Sequence, residues 1–302
     1  MRWRGNRSSE NVEDRRGDQP PSMGVAGGGA LRLLPMLIKF LGVKGTLVLA
    51  VVVGGYGLMT GNLGTILSVL TGQPMPQQSA PESVQQTAQE QELAEFISVI
   101  LADTEDTWGQ IFTASGRQYK EPRLVLFRNA VKSACGTAQS AVGPFYCPAD
   151  QQIYIDLGFY TELSQRFKAP GDFAQAYVLA HEVGHHIQTL LGISAKVHEA
   201  KRGVDKARAN QLSVRQELQA DCLAGVWANK AHHERKMLEP GDLEEGLRAA
   251  SAIGDDTLQK QSRGYVTPDS FTHGSSAQRV KWFKRGFEKG NMAACDTFQQ
   301  PI

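Results

Sequence analysis

From residue 45 to residue 70 the chain carries no charged side chain, and this run limits what the whole molecule can be. Residues 45–63 alone can nearly cross a hydrocarbon core of about 30 Å as a helix. Glycines within the run, such as Gly54, Gly55 and Gly57, weaken a helix in water but are common in membrane helices. A buried core helix is the competing reading, but the run offers no polar face to meet water. A cleaved signal peptide fits less well, because a long segment precedes the run and no clear small-x-small site closes it. Eight Lys or Arg residues fall in 1–44 and none in 45–116. That asymmetry predicts a single membrane-spanning helix with a cytoplasmic N-terminus.

The remaining organisation follows from this run. Residues 1–44 read as a basic cytoplasmic tail, the first 30 showing no apolar periodicity and so expected to be disordered. Residues 45–70 are the anchor. Residues 71–92, rich in Pro, Gln and Ser, read as a flexible linker. Residues 93–302 are left as one folded domain, a reasonable share of a 302-residue chain. Within it Leu93, Phe96, Ile97, Ile100, Leu101 and Trp108 lie near helical spacing. Residues 123–127 and 152–160 read as strands. Residues 172–192, 206–231, 241–260 and 275–289 read as helices. The expected fold is α+β, helix-rich, with a small sheet. Net charge is +1, so no charge imbalance points to nucleic acid.

There are four cysteines and no C-x-x-C pair, which leaves a zinc ribbon or thioredoxin-like motif without support. If the domain faces an oxidising compartment, two disulfides are expected. Cys135 and Cys147 bracket a short turn region and should pair, and Cys222 should pair with Cys295.

His181, Glu182 and His185 form H-E-x-x-H within an apparent helix. Histidines four apart share one helical face and can bind one metal ion, while Glu182 beside them can take a proton from a metal-bound water. Chance alone should give the pattern in about one such chain in a hundred. Two surface histidines are the plain alternative. Tyr177, Val178, Leu179, Val183 and Ile187 weigh against it by marking the helix as buried, and buried paired histidines need partners. Zinc needs a third protein ligand and an open position. On the next polar helix Glu217 and Asp221 are again four apart, with Glu217 as the expected third ligand. Asp221 would accept the other N–H of a ligand histidine. His186 points about 100° away from His185 and is expected to pack rather than ligate. His198, His232 and His233 read as surface residues. His273, in a loop before the helix that Ser275 is placed to cap, could stabilise an oxyanion or serve structure. Arg279 on that helix could pair with a site carboxylate.

The stretches HEVGHHIQ and ELQADCLAG, with YKEPRLVLF, SACG, GPFYCPADQQIYIDLGFY and THGSSAQRVKWF, resemble a family of bacterial membrane-anchored neutral zinc metallopeptidases. The resemblance covers nearly the whole chain, and the order H-E-x-x-H then E-x-x-A-D is also similar to gluzincin endopeptidases. It implies a zincin-like fold binding Zn2+ through His181, His185 and Glu217, with Glu182 as base and Asp221 behind the ligands. It also implies a peptide or protein substrate, laid along an edge strand for which residues 152–159 are the candidate. The location implied is the inner membrane, single-pass, with the catalytic domain periplasmic or extracellular. A zinc-binding envelope protein with no turnover is the alternative, against which the presence of Glu182 argues.

Overall fold

A computed structural model describes residues 1–18, 38–40, 42, 43, 45, 46, 48, 87–139 and 143–302. The chain divides into two units, residues 1–20 with 86–302 and residues 21–85. Nearly all of the second unit lies outside the described residues, including most of the anchor expected over 45–70 and, of the linker expected over 71–92, residues 71–86. Among the described residues no helix is long and apolar enough to cross a membrane.

The first unit begins with strand β1 (Val12–Asp14). After the second unit comes helix α1 (Ala88–Ala114), opened by a reciprocal cap between Thr87 and Glu90. The domain therefore starts a turn or more before Leu93, the start expected from its apolar spacing, because the T-x-x-E pattern satisfies the first free N–H groups there. Strands β2 (Arg123–Phe127), β3 (Ala130–Ser133), β4 (Gly136–Gln139), β5 (Phe145–Cys147) and β6 (Gln152–Asp156) follow. Then come helices α2 (Gly158–Gln165), α3 (Asp172–Leu190), α4 (Ile193–Lys201), α5 (Lys206–His233), α6 (Asp242–Ala252), α7 (Asp255–Arg263) and α8 (Ser276–Lys289).

Two expected elements divide. The strand expected over 152–160 stops at Asp156, whose Oδ1 accepts the Gly158 N–H at 2.8 Å and turns the chain into α2. The helix expected over 241–260 breaks into α6 and α7 at Gly254. A Cβ at Gly254 would lie 2.4 Å from the Ser276 nitrogen, so only glycine lets the start of α8 approach there.

The main sheet has the order β1-β2-β6-β5, and β3 pairs with β4 as a separate hairpin. β1, β2 and β6 are parallel, with Leu124 opposite Ile153, while β5 runs antiparallel to β6. The run RLVLF is apolar throughout because both faces of β2 are covered. Leu124 and Leu126 join the main core among the helices, with Phe173, Tyr177, Trp227 and Phe283. Val125 and Phe127 join a smaller cluster on the other face with Val131, Cys147 and Tyr154. Both expected disulfides are present: Cys135–Cys147 ties the β3–β4 turn to β5, and Cys222–Cys295 ties α5 to the C-terminal segment.

The pairing corrects one expectation about substrate binding. Residues 152–156 form β6, an internal strand bonded on both sides, so they have no free edge. Among the described strands the edge on the helix side is β5.

The first 18 residues correct a second expectation. They are not a disordered tail. Trp3 is 6% exposed and packs edge-on against Phe96 of α1, ring centroids 5.4 Å apart. Ser9 Oγ and Asn11 Nδ2 donate to the buried Glu105 carboxylate at 2.6 and 2.9 Å. β1 pairs with β2, Val12 opposite Leu124. The Met1 ammonium lies 2.7 Å from Asp172 Oδ2 at the first residue of α3. Arg16 Nη1 donates to the Glu90 carbonyl at 3.0 Å, so the chain leaves this unit beside the point where it returns.

Residues on both sides of the uncharged run therefore share one sheet and one core. A single crossing between residues 18 and 87 would split that sheet across a membrane, with β1 on one side and β2 on the other. The pairing of β1 with β2 overturns the expected cytoplasmic N-terminus, while the expected place of the catalytic domain outside the cytoplasm fits the disulfides. The two disulfides fit an oxidising compartment for the whole unit. All four cysteines are bridged, so introduced thiols report position cleanly. In the full-length protein Ser8→Cys and Lys284→Cys, both at exposed positions, are expected to react together with a membrane-impermeant maleimide in intact spheroplasts. Labelling of Lys284→Cys with Ser8→Cys protected until permeabilisation would restore the single crossing.

Candidate metal centre

α3 and α5 pack face to face, and Gly184 sets how closely. A Cβ on Gly184 would stand 2.9 Å from the Ala220 carbonyl oxygen and 3.0 Å from its Cα. With glycine there, one turn of α3 bearing His181 and His185 faces one turn of α5 bearing Glu217 and Asp221. Glu217 Oε2 lies 3.2 Å from His181 Nε2 and 3.5 Å from His185 Nε2. The two imidazole rings stand edge-on, centroids 4.8 Å apart. One ligand atom from each of His181, His185 and Glu217 falls within 4.8 Å of the others, close enough to hold one metal ion. Two imidazole nitrogens and one carboxylate oxygen are a donor set that suits zinc and leaves a fourth position free.

A second grouping with such spacing, Asp172, Asp242 and Glu245, is all carboxylate. The Met1 ammonium offsets part of its charge, lying 2.7 Å from Asp172 and 3.4 Å from Asp242.

Behind His181 lies a buried ionic cluster. The His181 Nδ1–H donates to Asp221 Oδ1 at 2.8 Å. Asp221, fully buried, also accepts from Tyr177 Oη at 2.6 Å and from Arg279 Nε and Nη2, each at 2.9 Å. Arg279, 3% exposed, donates further to Tyr177 Oη at 3.1 Å and to the Ile253 carbonyl at 3.3 Å. Burial alone would push the Asp221 carboxyl up, but the Arg279 guanidinium and His181 hold it down at about 2. Burial opposes charge on His181, yet Asp221 and Glu217 raise its pKa to about 10. Glu217 is held well below the usual carboxylate range, the two histidines outweighing its burial. The site is thus built around anionic carboxylates that favour a cation between the rings. A metal entering there would displace protons from the histidines.

These residues floor a cleft of about 840 Å³. Glu182, 7% exposed, lines it with no hydrogen-bonding partner among the described residues. The cleft is also lined by Pro144 and β5, by Phe159 of α2 and Phe167 beyond it, and by Ile253 with Leu258 and Gln259 of α7. His273 reaches the cleft from the loop before α8, its side chain 52% exposed. Its Nδ1–H donates to Asp255 Oδ1 at 3.2 Å, and Asp255 Oδ2 accepts the N–H groups of Thr272, His273 and Gly274 at 2.7, 2.6 and 3.1 Å. The hydrogen bond to Asp255 raises the His273 pKa.

The structure therefore brings together all the sequence-derived candidates: His181, Glu182, His185, Glu217, Asp221 and His273. Arg279 does pair with a site carboxylate. His186 packs, its Nε2–H donating to the Lys120 carbonyl at 2.6 Å while Tyr146 Oη donates to its Nδ1 at 3.1 Å, and burial lowers its pKa to about 4. His198 and His233 are exposed, but His232 is half-buried against Phe287. Three participants are added by the structure: Tyr177, Gln188 and Asp255. Tyr177 could have been found at the sequence level, four residues before His181 on the same helical face. Asp255 and Gln188 carry no motif.

Residues 1–298 match the family model described as "Putative neutral zinc metallopeptidase". The uncharacterized protein YpfJ of Escherichia coli K12 is 51% identical over 304 residues, covering all of both chains. The uncharacterized proteins Mb2605 of Mycobacterium bovis and Rv2575 of Mycobacterium tuberculosis are each 44% identical over 190 residues, which is 60% of this chain and 63% of theirs. No solved structure matches.

Proposed function

The chain belongs to the neutral zinc metallopeptidase family, and from that premise we propose that it hydrolyses internal peptide bonds with zinc held by His181, His185 and Glu217. The observation that carries the reading is the convergence of those three ligand atoms on the floor of a cleft that Glu182 also lines. When bound, zinc would polarise the scissile carbonyl and acidify a water at the open position. The protein does the rest. Glu182 takes the proton and later hands it to the leaving amine. Asp221 fixes the His181 tautomer with the lone pair of Nε2 turned to the metal. His273 in its protonated form, which Asp255 favours by accepting the Nδ1–H, would donate its Nε2–H to charge developing on the carbonyl oxygen.

An endopeptidase fits better than a carboxypeptidase. A carboxypeptidase needs a free cation in the cleft to hold the chain terminus. Of the arginines lining this cleft, Arg279 is engaged by Asp221 and Tyr177, and Arg166 pairs with Glu162 at 3.4 Å. β5, antiparallel at the sheet edge and lining the cleft, would pair with an extended peptide through its main chain. The uncharged run at 45–70 would keep the enzyme at a membrane, with residues 1–18 and the catalytic unit on the same side.

Zinc analysis of ligand variants tests the assignment. His185→Ala and Glu217→Ala are each expected to fall well below one zinc per chain, because a three-ligand site loses a donor. Stoichiometric zinc in Glu217→Ala would remove Glu217 from the site and with it the proposed active centre.

A further inference from the structure

The two histidines are braced differently. His181 rests on an anion, whereas His185 rests on a neutral amide: its Nδ1 lies 2.9 Å from Gln188 Oε1. The orientation of that amide follows from its other contacts. Gln188 Nε2 faces two acceptors, the Gln216 carbonyl at 2.7 Å and Gln219 Oε1 at 3.1 Å, so the nitrogen must point toward them and the oxygen toward His185. Gln219 is fixed the same way, because its Nε2 donates to the Cys295 carbonyl at 3.0 Å. A carbonyl and an amide oxygen can only accept. The proton of neutral His185 therefore sits on Nδ1, and the Nε2 lone pair is turned toward Glu217, 3.5 Å away. Gln188 is fully buried and Gln219 is 7% exposed, so water does not supply these bonds instead. At the far end, Cys295 is covalently tied to Cys222, one turn beyond Gln219 on α5.

We propose that Gln188 is the positioning residue for His185, and that Gln219 and the Cys295 carbonyl extend this brace to the C-terminal disulfide, so that the disulfide helps set the affinity of the metal site. This rests on the proposed ligand set. The brace fixes one tautomer and one ring orientation before any ion arrives, which lowers the ordering cost of binding. It adds no charge behind His185. Behind His181, by contrast, the acceptor is the Asp221 carboxylate, itself paired with Arg279.

The test is zinc affinity of the full-length protein, measured by competition with a chromophoric chelator. Gln188→Leu, close in volume but unable to accept, is expected to bind zinc about 10- to 100-fold more weakly than wild type. Gln219→Leu is expected to lose less, because Gln188 keeps the Gln216 carbonyl. Replacing both Cys222 and Cys295 by Ser should weaken binding in wild type and add little in the Gln219→Leu background. In the zinc-loaded wild type, nitrogen-15 NMR should place the His185 proton on Nδ1. A folded Gln188→Leu that binds zinc within twofold of wild type overturns the proposal. If that variant does not fold, a proton on Nε2 in wild type, or unchanged affinity in Gln219→Leu, overturns it. A wild type that binds no zinc would instead defeat the ligand set itself, so the two failures are distinguishable.

Discussion

Glu182→Gln is expected to keep one zinc per chain while peptide hydrolysis falls by about two to four orders of magnitude. The substitution preserves size and hydrogen-bonding reach but removes the only group in this position that can carry a proton. Among the described residues Glu182 has no hydrogen-bonding partner. It lines the cleft at 7% exposure, and its neighbours on α3 supply the core packing. The three ligand atoms come from other residues, so metal content should not follow activity. Zinc analysis and cleavage assays on the same preparation check this. Loss of zinc in Glu182→Gln would make Glu182 part of the metal site. Retention of full activity would remove it from the chemistry.

Arg279→Met is expected to cost about 3–5 kcal/mol of folding stability, because it strands the fully buried Asp221 charge without its strongest partner. The pair also explains an expected response to acid. Asp221 is held at about 2 in the folded protein, below its unfolded value of about 3.9. A group depressed in this way stabilises the fold above the unfolded value, and that contribution is lost as pH falls toward about 2. In Arg279→Met the depression shrinks, so the variant should lose less of its remaining stability across the same interval. Removing both partners in Asp221→Asn/Arg279→Met should recover part of the loss. Denaturant unfolding at neutral pH and near pH 3 measures all three. A loss under about 1 kcal/mol in Arg279→Met, the range of exposed ion pairs, would mean that the cluster is not sealed from water as the structure has it.

The candidate site was largely legible because its parts obey local periodicity. His181 with His185 and Glu217 with Asp221 each sit four apart, so both pairs announce a shared helical face before any contact is known. The disulfide pairing was legible because Cys135 and Cys147 bracket a turn, which leaves Cys222 with Cys295. What brings the two helical faces together is not periodic. It depends on Gly184 admitting the Ala220 backbone, a property of the partner helix rather than of the H-E-x-x-H sequence.

The errors have equally specific causes. Residues 1–18 lack an apolar period because they attach by separate anchors: Met1 and Trp3, polar side chains on Glu105, and a three-residue strand. A composition-based reading sees charge and glycine there and finds disorder. The edge strand was misplaced because residues 152–159 precede the motif helix in sequence, and order along the chain does not say which strand is left open; the apolar run of QIYID fits a strand covered on both sides. β5 has three residues, too few to show alternation. Gln188 and Gln219 escaped notice because a neutral amide carries no motif. Its role appears only when every donor and acceptor around it has been assigned.

The most direct test of peptide hydrolysis is to digest a complex peptide mixture with the full-length protein and to identify new termini by mass spectrometry. The expected result is cleavage at internal bonds, abolished by removing zinc, restored by adding it back, and absent with Glu182→Gln. A protein that binds one zinc per chain yet yields no new termini at any zinc concentration would be a metal-binding protein without turnover, and would contradict the proposed activity.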